Sequence, residues 1–239
     1  MDTVPVASRS IWAIIGDIFF APVKALDDFK QKPNWVIPLI LCLILMAVAG
    51  GLPYKQNAQA QLDLLSTSTL PASVMNQMTA QAKNPNPWTA TIAGPIVYAI
   101  ISLIGALLAW VFGSFIFGKK AFFSHVWAVG LLTALIPMIG GVIRSLLIVA
   151  KDSVYVSIGL AALMPGKDFT SFIYTLLYYA DIFAIWGVII GGLGYAAIFG
   201  LPRGKGMTIS VVIWLLGILV IIGFQQIGLA FAGVKTSFL

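Results

Sequence analysis

Charged residues are absent from five long runs of this chain, residues 33–54, 84–118, 121–143, 182–202 and 206–234. A helix needs about 20 apolar residues to cross the hydrocarbon core of a bilayer, and each run is long enough. Spans are therefore predicted at about 34–54, 90–117, 122–143, 182–201 and 207–233. Lys119–Lys120 separates the second from the third, and Leu201-Pro202-Arg203-Gly204-Lys205-Gly206 the fourth from the fifth. Both separators are too short to leave the membrane surface, so each of those pairs reads as a helical hairpin.

The polar and apolar positions before the first run follow a different rhythm. At 100° per residue, Ile11, Ile15, Ile18, Phe19, Leu26 and Phe29 share one face, opposite Asp17, Lys24 and Asp28. Pro22 breaks a continuous helix there or opens a second one at its first turn. The reading is two short helices, lying on the membrane surface, packed on the bundle, or both. Residues 1–32 form this amphipathic cytoplasmic segment, and 33–234 a five-span membrane domain. The mixed charges of the segment do not fit a cleaved signal peptide. In the polar connection 55–88, Pro71 can open a short helix. Residues 154–164 are apolar but too few to span, which suggests an interfacial or re-entrant helix.

Composition sharpens the picture. Hydrophobic residues make up 60% and charged ones 9%, against about 25% charged in soluble domains. The fold class is thus an all-α integral membrane protein, a five-helix transmembrane bundle with an amphipathic N-terminal interfacial segment. The net charge of +6 sits mostly beside apolar runs, where it favours anionic headgroups and orients the chain rather than binding nucleic acid. With the N-terminus inside, Arg9, Lys24, Lys30, Lys32, Lys119, Lys120, Arg203 and Lys205 fall on the cytoplasmic side. Lys55, Lys83, Lys151, Lys167 and Lys235 fall outside, spread over longer loops. The C-terminus is then outside. Cys42, the single cysteine, reads as a small buried hydrophobe.

Candidate chemistry is sparse. Charges within spans are costly and come first. At 1.5 Å per residue, Arg144 lies about 33 Å beyond Phe122 and Asp181 about 31 Å before Pro202, so the two can pair near the outer interface. Such a pair is a gate or ion contact, or a structural lock between the third and fourth spans; alternatively the two side chains reach the headgroups separately. His125 lacks the partners for a metal site or a triad, and no cofactor is implied. The glycines and bases at 200–206 lack the spacing of a phosphate-binding loop. Gly187, Gly191, Gly192 and Gly194, with Pro137, Gly140 and Gly141, mark close helix packing or bends. Gln225 and Gln226 hydrogen-bond a neighbour or line a cavity. Trp12, Trp35 and Trp88 are interfacial anchors.

These residues together resemble the Yip family of multi-pass membrane proteins, named for interaction with Ypt/Rab GTPases, and its bacterial branch in particular. Phe19-Phe20-Ala21-Pro22, Phe29 and Pro33-Asn34-Trp35 with Pro38 are similar to that family's approach to its first span. Ser124, Pro137 and the glycines after it resemble the third span. Asp181-Ile182-Phe183-Ala184-Ile185-Trp186, Gly191 to Gly194 and the turn near Lys205 resemble the fourth. The resemblance implies a five-span domain with a cytoplasmic N-terminus, in a bacterial plasma (inner) membrane. The long N-terminal region and Asp-Leu-Tyr-Gly-Pro motif of eukaryotic relatives are missing, so Rab binding is not carried over. The function expected is a non-enzymatic scaffold, assembly factor or membrane organiser, whose partners are the bilayer, further copies of itself or other membrane proteins. The competing expectation is a small-solute or ion conduit near Asp181 and the spans broken by glycine and proline.

Overall fold

Pro22 does divide the N-terminal segment. A computed structural model describes residues 9–165 and 169–234, and its first two helices are α1 (Ile11–Phe20) and α2 (Pro22–Phe29). Pro22 occupies the first turn of α2, where its missing N–H costs no helical bond. Ile14, Ile18, Ala25, Leu26 and Phe29 are buried. Ile18, Leu26 and Phe29 of the expected face are thus buried, whereas Ile11, Ile15 and Phe19 are half-buried, so only the inward side of α1 is turned, toward Ile14. Arg9 joins the two helices, meeting Asp17 at 2.8 Å and Asp28 at 3.0 Å.

α3 (Val36–Gly51) starts where the Asn34 side chain accepts the Val36 N–H at 2.9 Å. Its 16 residues cover about 24 Å, short of the hydrocarbon thickness. The chain bends by 54° and continues as α4 (Tyr54–Ser66), so the single run expected over 34–54 is interrupted before Pro53. Pro71 precedes α5 (Ala72–Lys83), as the sequence suggested. α6 (Pro87–Val111) passes into a π-helical turn over Phe112–Ile116, and the Trp110 indole N–H donates to the Ala121 carbonyl at 2.9 Å.

α7 (Phe123–Lys151) runs past the predicted end at residue 143, since Arg144 and Ser145 find partners without ending the helix. It stops at Asp152, whose φ of 47° is a left-handed conformation that aspartate tolerates. The helix expected over 154–164 is absent apart from a 3-10 turn at Leu160–Leu163. The Ser153 and Ser157 hydroxyls capture the N–H groups of Tyr155 and Gly159, each at 3.2 Å, which competes with helix formation. Gly159 and Asp181 instead form an antiparallel bridge.

α8 (Phe172–Tyr179), which the charge pattern did not reveal, is capped by Ser171, whose hydroxyl accepts the Tyr174 N–H at 3.0 Å. α9 (Ile182–Phe199) ends at Gly200 with φ 60°, where a side chain would be strained. α10 (Arg203–Phe231) begins earlier than predicted, because the Pro202 carbonyl accepts from Lys205 and Gly206.

Among the described residues four helices are long and apolar enough to cross a membrane, Pro87–Ile116, Phe123–Lys151, Ile182–Phe199 and Arg203–Phe231, and α3 with α4 makes a fifth if the bent pair is one span. Among the described residues there is no β-strand. The chain is an all-α membrane protein. Its residues fall into two compact units. One takes the described residues up to Cys42 with Ala99–Ile136 and Trp186–Ile213; the other takes Leu43–Tyr98, Pro137–Ile185 and the described residues from Trp214 on. The first is centred on Val126, Val129, Leu132, Ile190 and Ile209, with the inward sides of α1 and α2. The second contains an aromatic cluster in which Tyr174 and Tyr178 are buried and Phe169 packs edge-on to both.

Candidate functional site

An acid directly before an apolar run has a local use, since its side chain can accept the first free N–H groups of a helix. Asp181 does this for α9: its Oδ1 accepts the Ala184 N–H at 2.8 Å, and its carbonyl accepts that of Ile185 at 2.9 Å. Its other oxygen, Oδ2, is held by Nη2 of Arg144 from α7. The side chains are 13% and 8% exposed, so water screens the pair little. Arg144 Nη2 also reaches the Tyr178 carbonyl at 3.5 Å, and its guanidinium lies 4.4 Å from the centre of the Tyr178 ring. Burial pushes the Tyr178 phenol up from its ordinary pKa, with the Arg144 charge opposing. Arg144 Nε is buried with no partner among the described residues.

The sequence thus placed Arg144 and Asp181 within reach, and the structure brings them together. What it did not show is that Asp181 has three duties. It caps α9, neutralises Arg144, and takes part in the bridge with Gly159, beside the Leu160 N–H bond to the Ala180 carbonyl at 3.2 Å. The capping duty was legible, because aspartate before an apolar helix is an N-cap signal. The bridge was not, since it depends on a loop from elsewhere in the chain. A carboxylate committed in this way is poorly placed to act as a free base or a relay.

Gln225 and Gln226 are also engaged. Gln225 donates to the Phe169 carbonyl at 2.6 Å and the Thr175 hydroxyl at 3.4 Å, and Gln226 to the Thr170 carbonyl at 3.2 Å. They fasten α10 to the start of α8. Ser145 on α7 donates to the Ala49 carbonyl of α3 at 2.7 Å.

The glycines divide between two places. Within the first unit, a Cβ on Gly191 would lie 2.8 Å from the Ser210 hydroxyl oxygen, one on Gly192 2.8 Å from Met207 Cα, and one on Gly194 2.5 Å from Val129. Close approach of α9 to α10 and α7 requires the missing side chains. Within the second, a Cβ on Gly140 would stand 2.6 Å from Phe183, whereas at Gly141 the nearest atom, of Ala49, is 3.9 Å away. Gly187 is half-buried in α9. Pro137 sits inside α7 and leaves it one backbone bond short. Trp12 and Trp88 are exposed. Trp35 is exposed along one side as well, and it also stacks on Trp127 at 5.0 Å, while the Trp127 indole donates to Ser102 at 3.1 Å.

His125 packs edge-on to Phe122 at 5.2 Å, and the Cys42 thiol donates to the Leu131 carbonyl at 3.5 Å. Among the described residues no three His, Cys, Asp or Glu side chains are grouped as metal ligands require. A polar cleft that sequence reasoning missed, about 300 Å³, is lined by Lys55, Gln56, Asp63, Asp152 and Tyr155. Gln56 donates to Asp152 there at 2.8 Å.

No curated protein and no solved structure matches the chain. Residues 16–224 match the Yip1 domain, a stretch that takes in the second half of α1, all of α2–α9, the Arg144–Asp181 pair and most of α10. On that match, the chain belongs to the Yip1 domain family of membrane proteins.

Proposed function

We propose that the chain is a non-enzymatic scaffold, assembly factor or membrane organiser of the bacterial Yip type. It sits in the plasma (inner) membrane with its N-terminus cytoplasmic and its C-terminus outside, and acts through helix and partner contacts. The observation that carries this reading is the two-sided build of α1–α2. Ile18 and Phe29 are almost fully buried, while Trp12 is 61% and Phe20 91% exposed. A rigidly seated helix pair that turns large aromatics outward supports a docking role, for aromatic side chains dominate contact energetics. The commitment of Asp181 and Gln225 to internal bonds weighs against a conduit.

Because Ile18 and Phe29 belong to the core, deletion of the segment would damage the fold, and surface changes test the role better. A photo-activated cross-linker placed at Trp12 or Phe20, in native membranes, should yield discrete adducts with a second copy or another membrane protein. Trp12→Ser with Phe20→Ser should abolish adducts captured from a neighbouring position such as Val23 while insertion is unchanged. Adducts to lipid alone at all three positions would remove the partner role.

A further inference from the structure

Positive charge is unevenly distributed between the two units. Among the described residues the first unit carries eight Lys and Arg against three Asp, and the second carries four against three. The acids of the first unit are already used: Asp17 and Asp28 by Arg9, and Asp27 by Lys30 at 2.7 Å. Lys119, Lys120, Arg203 and Lys205 are exposed, and none has an ion-pair partner among the described residues. They come from two turns that meet, since the Lys205 ammonium lies 5.4 Å from the centre of the Phe117 ring. Phe115, Ile116 and Phe122 are exposed beside Lys119 and Lys120. Cations flanked by outward apolar side chains suit the boundary between headgroups and acyl chains.

The same unit has a groove of about 180 Å³ lined by Val23, Leu26, Leu193, Ala197, Leu201 and Arg203. Most of the side chains along it are aliphatic, its polar surface comes with Arg203, Asp27 and backbone, and Arg203 is its cation. Asp27, which also lines it, is neutralised by Lys30. An occupant with an apolar chain and one anionic end matches these aliphatic side chains and the Arg203 charge.

We propose that this face is a binding site for one anionic phospholipid. The phosphate is held by Arg203 and Lys205, with Lys119 and Lys120 adding to the field, and the first part of an acyl chain lies along the groove. Four bases acting together favour an anionic over a zwitterionic headgroup by about tenfold or more, even after partial screening. The inference goes beyond the partner reading: it uses neither Trp12 nor Phe20, so either can fail without the other.

The test uses the full chain in detergent micelles, with retained lipid read by native mass spectrometry. Palmitoyl-oleoyl phosphatidylglycerol should be retained about tenfold or more over the phosphatidylcholine of the same chains. The variant K119Q/K120Q/R203Q/K205Q should lower phosphatidylglycerol to the phosphatidylcholine level. Ala197→Leu, which fills the groove and leaves every charge in place, should lower it severalfold. Circular dichroism and monodispersity check that both variants fold, and the comparison of the two lipids on the unmodified chain needs no variant. Equal retention of the two lipids overturns the proposal, as does full retention by the charge variant. Retention unmoved by Ala197→Leu overturns the groove as the seat of the chain. Thermal protection by inorganic phosphate equal to that by phosphatidylglycerol overturns a lipid as the ligand.

Discussion

Arg144 and Asp181, 37 positions apart in the chain, hold one another while the second oxygen of Asp181 caps α9. One carboxylate thereby orients α9 and neutralises the Arg144 charge of α7. Removing one partner of a buried pair leaves the other without compensation, at about 3–5 kcal/mol. Asp181→Ala should therefore lower unfolding free energy in micelles by that order. Asp181→Asn, which can still cap, should cost less. Arg144→Met combined with Asp181→Asn should recover much of the loss. Equal costs for Ala and Asn would show that the cap contributes nothing.

Glycine positions should separate cleanly by their surroundings. Gly192→Val meets Met207 Cα and should cost about 1–3 kcal/mol or more. Gly217→Ala on α10 meets nothing within 4 Å and should gain up to about 1 kcal/mol from helix propensity. Thermal or denaturant unfolding of the two variants side by side is sufficient, and a destabilising Gly217→Ala would mean that this face of α10 is covered in the membrane.

In the N-terminal segment, Ile18→Ala empties a fully buried site and should cost about 2–5 kcal/mol. Phe20→Ala, at an exposed site, should change stability by no more than about 0.5 kcal/mol. Similar losses at both would show that the exposed face is packed in the native membrane, for instance against a second copy.

Orientation can be read by labelling single cysteines, with little background because Cys42 is buried. A cysteine at Lys119 should react only with reagent that reaches the cytoplasm. One at Leu160, which is exposed, should react with impermeant reagent from outside. The reverse result would invert the proposed topology.

Much of this architecture lay on the surface of the sequence. Runs free of charge located α6, α7, α9 and α10 because a backbone in hydrocarbon must bond internally, and a helix does so within one segment. Pro22 and Pro71 announced the starts of α2 and α5 for an equally local reason. The depth estimate put Arg144 and Asp181 at one level, because rise per residue is a constant of the helix.

Other features were decided only when distant segments met. Whether 154–164 becomes a helix depends on Ser153, Ser157 and the bridge to Asp181, and the last of these arrives from 22 residues later in the chain than Gly159. The fate of Gln225 depends on carbonyls at Phe169, and the stacking of Trp35 on Trp127. Local sequence sets which helices form and roughly how long they are, since those rest on bonds between near neighbours. The partners of each polar side chain rest on tertiary packing, since a buried polar group takes whichever donor or acceptor the fold brings beside it.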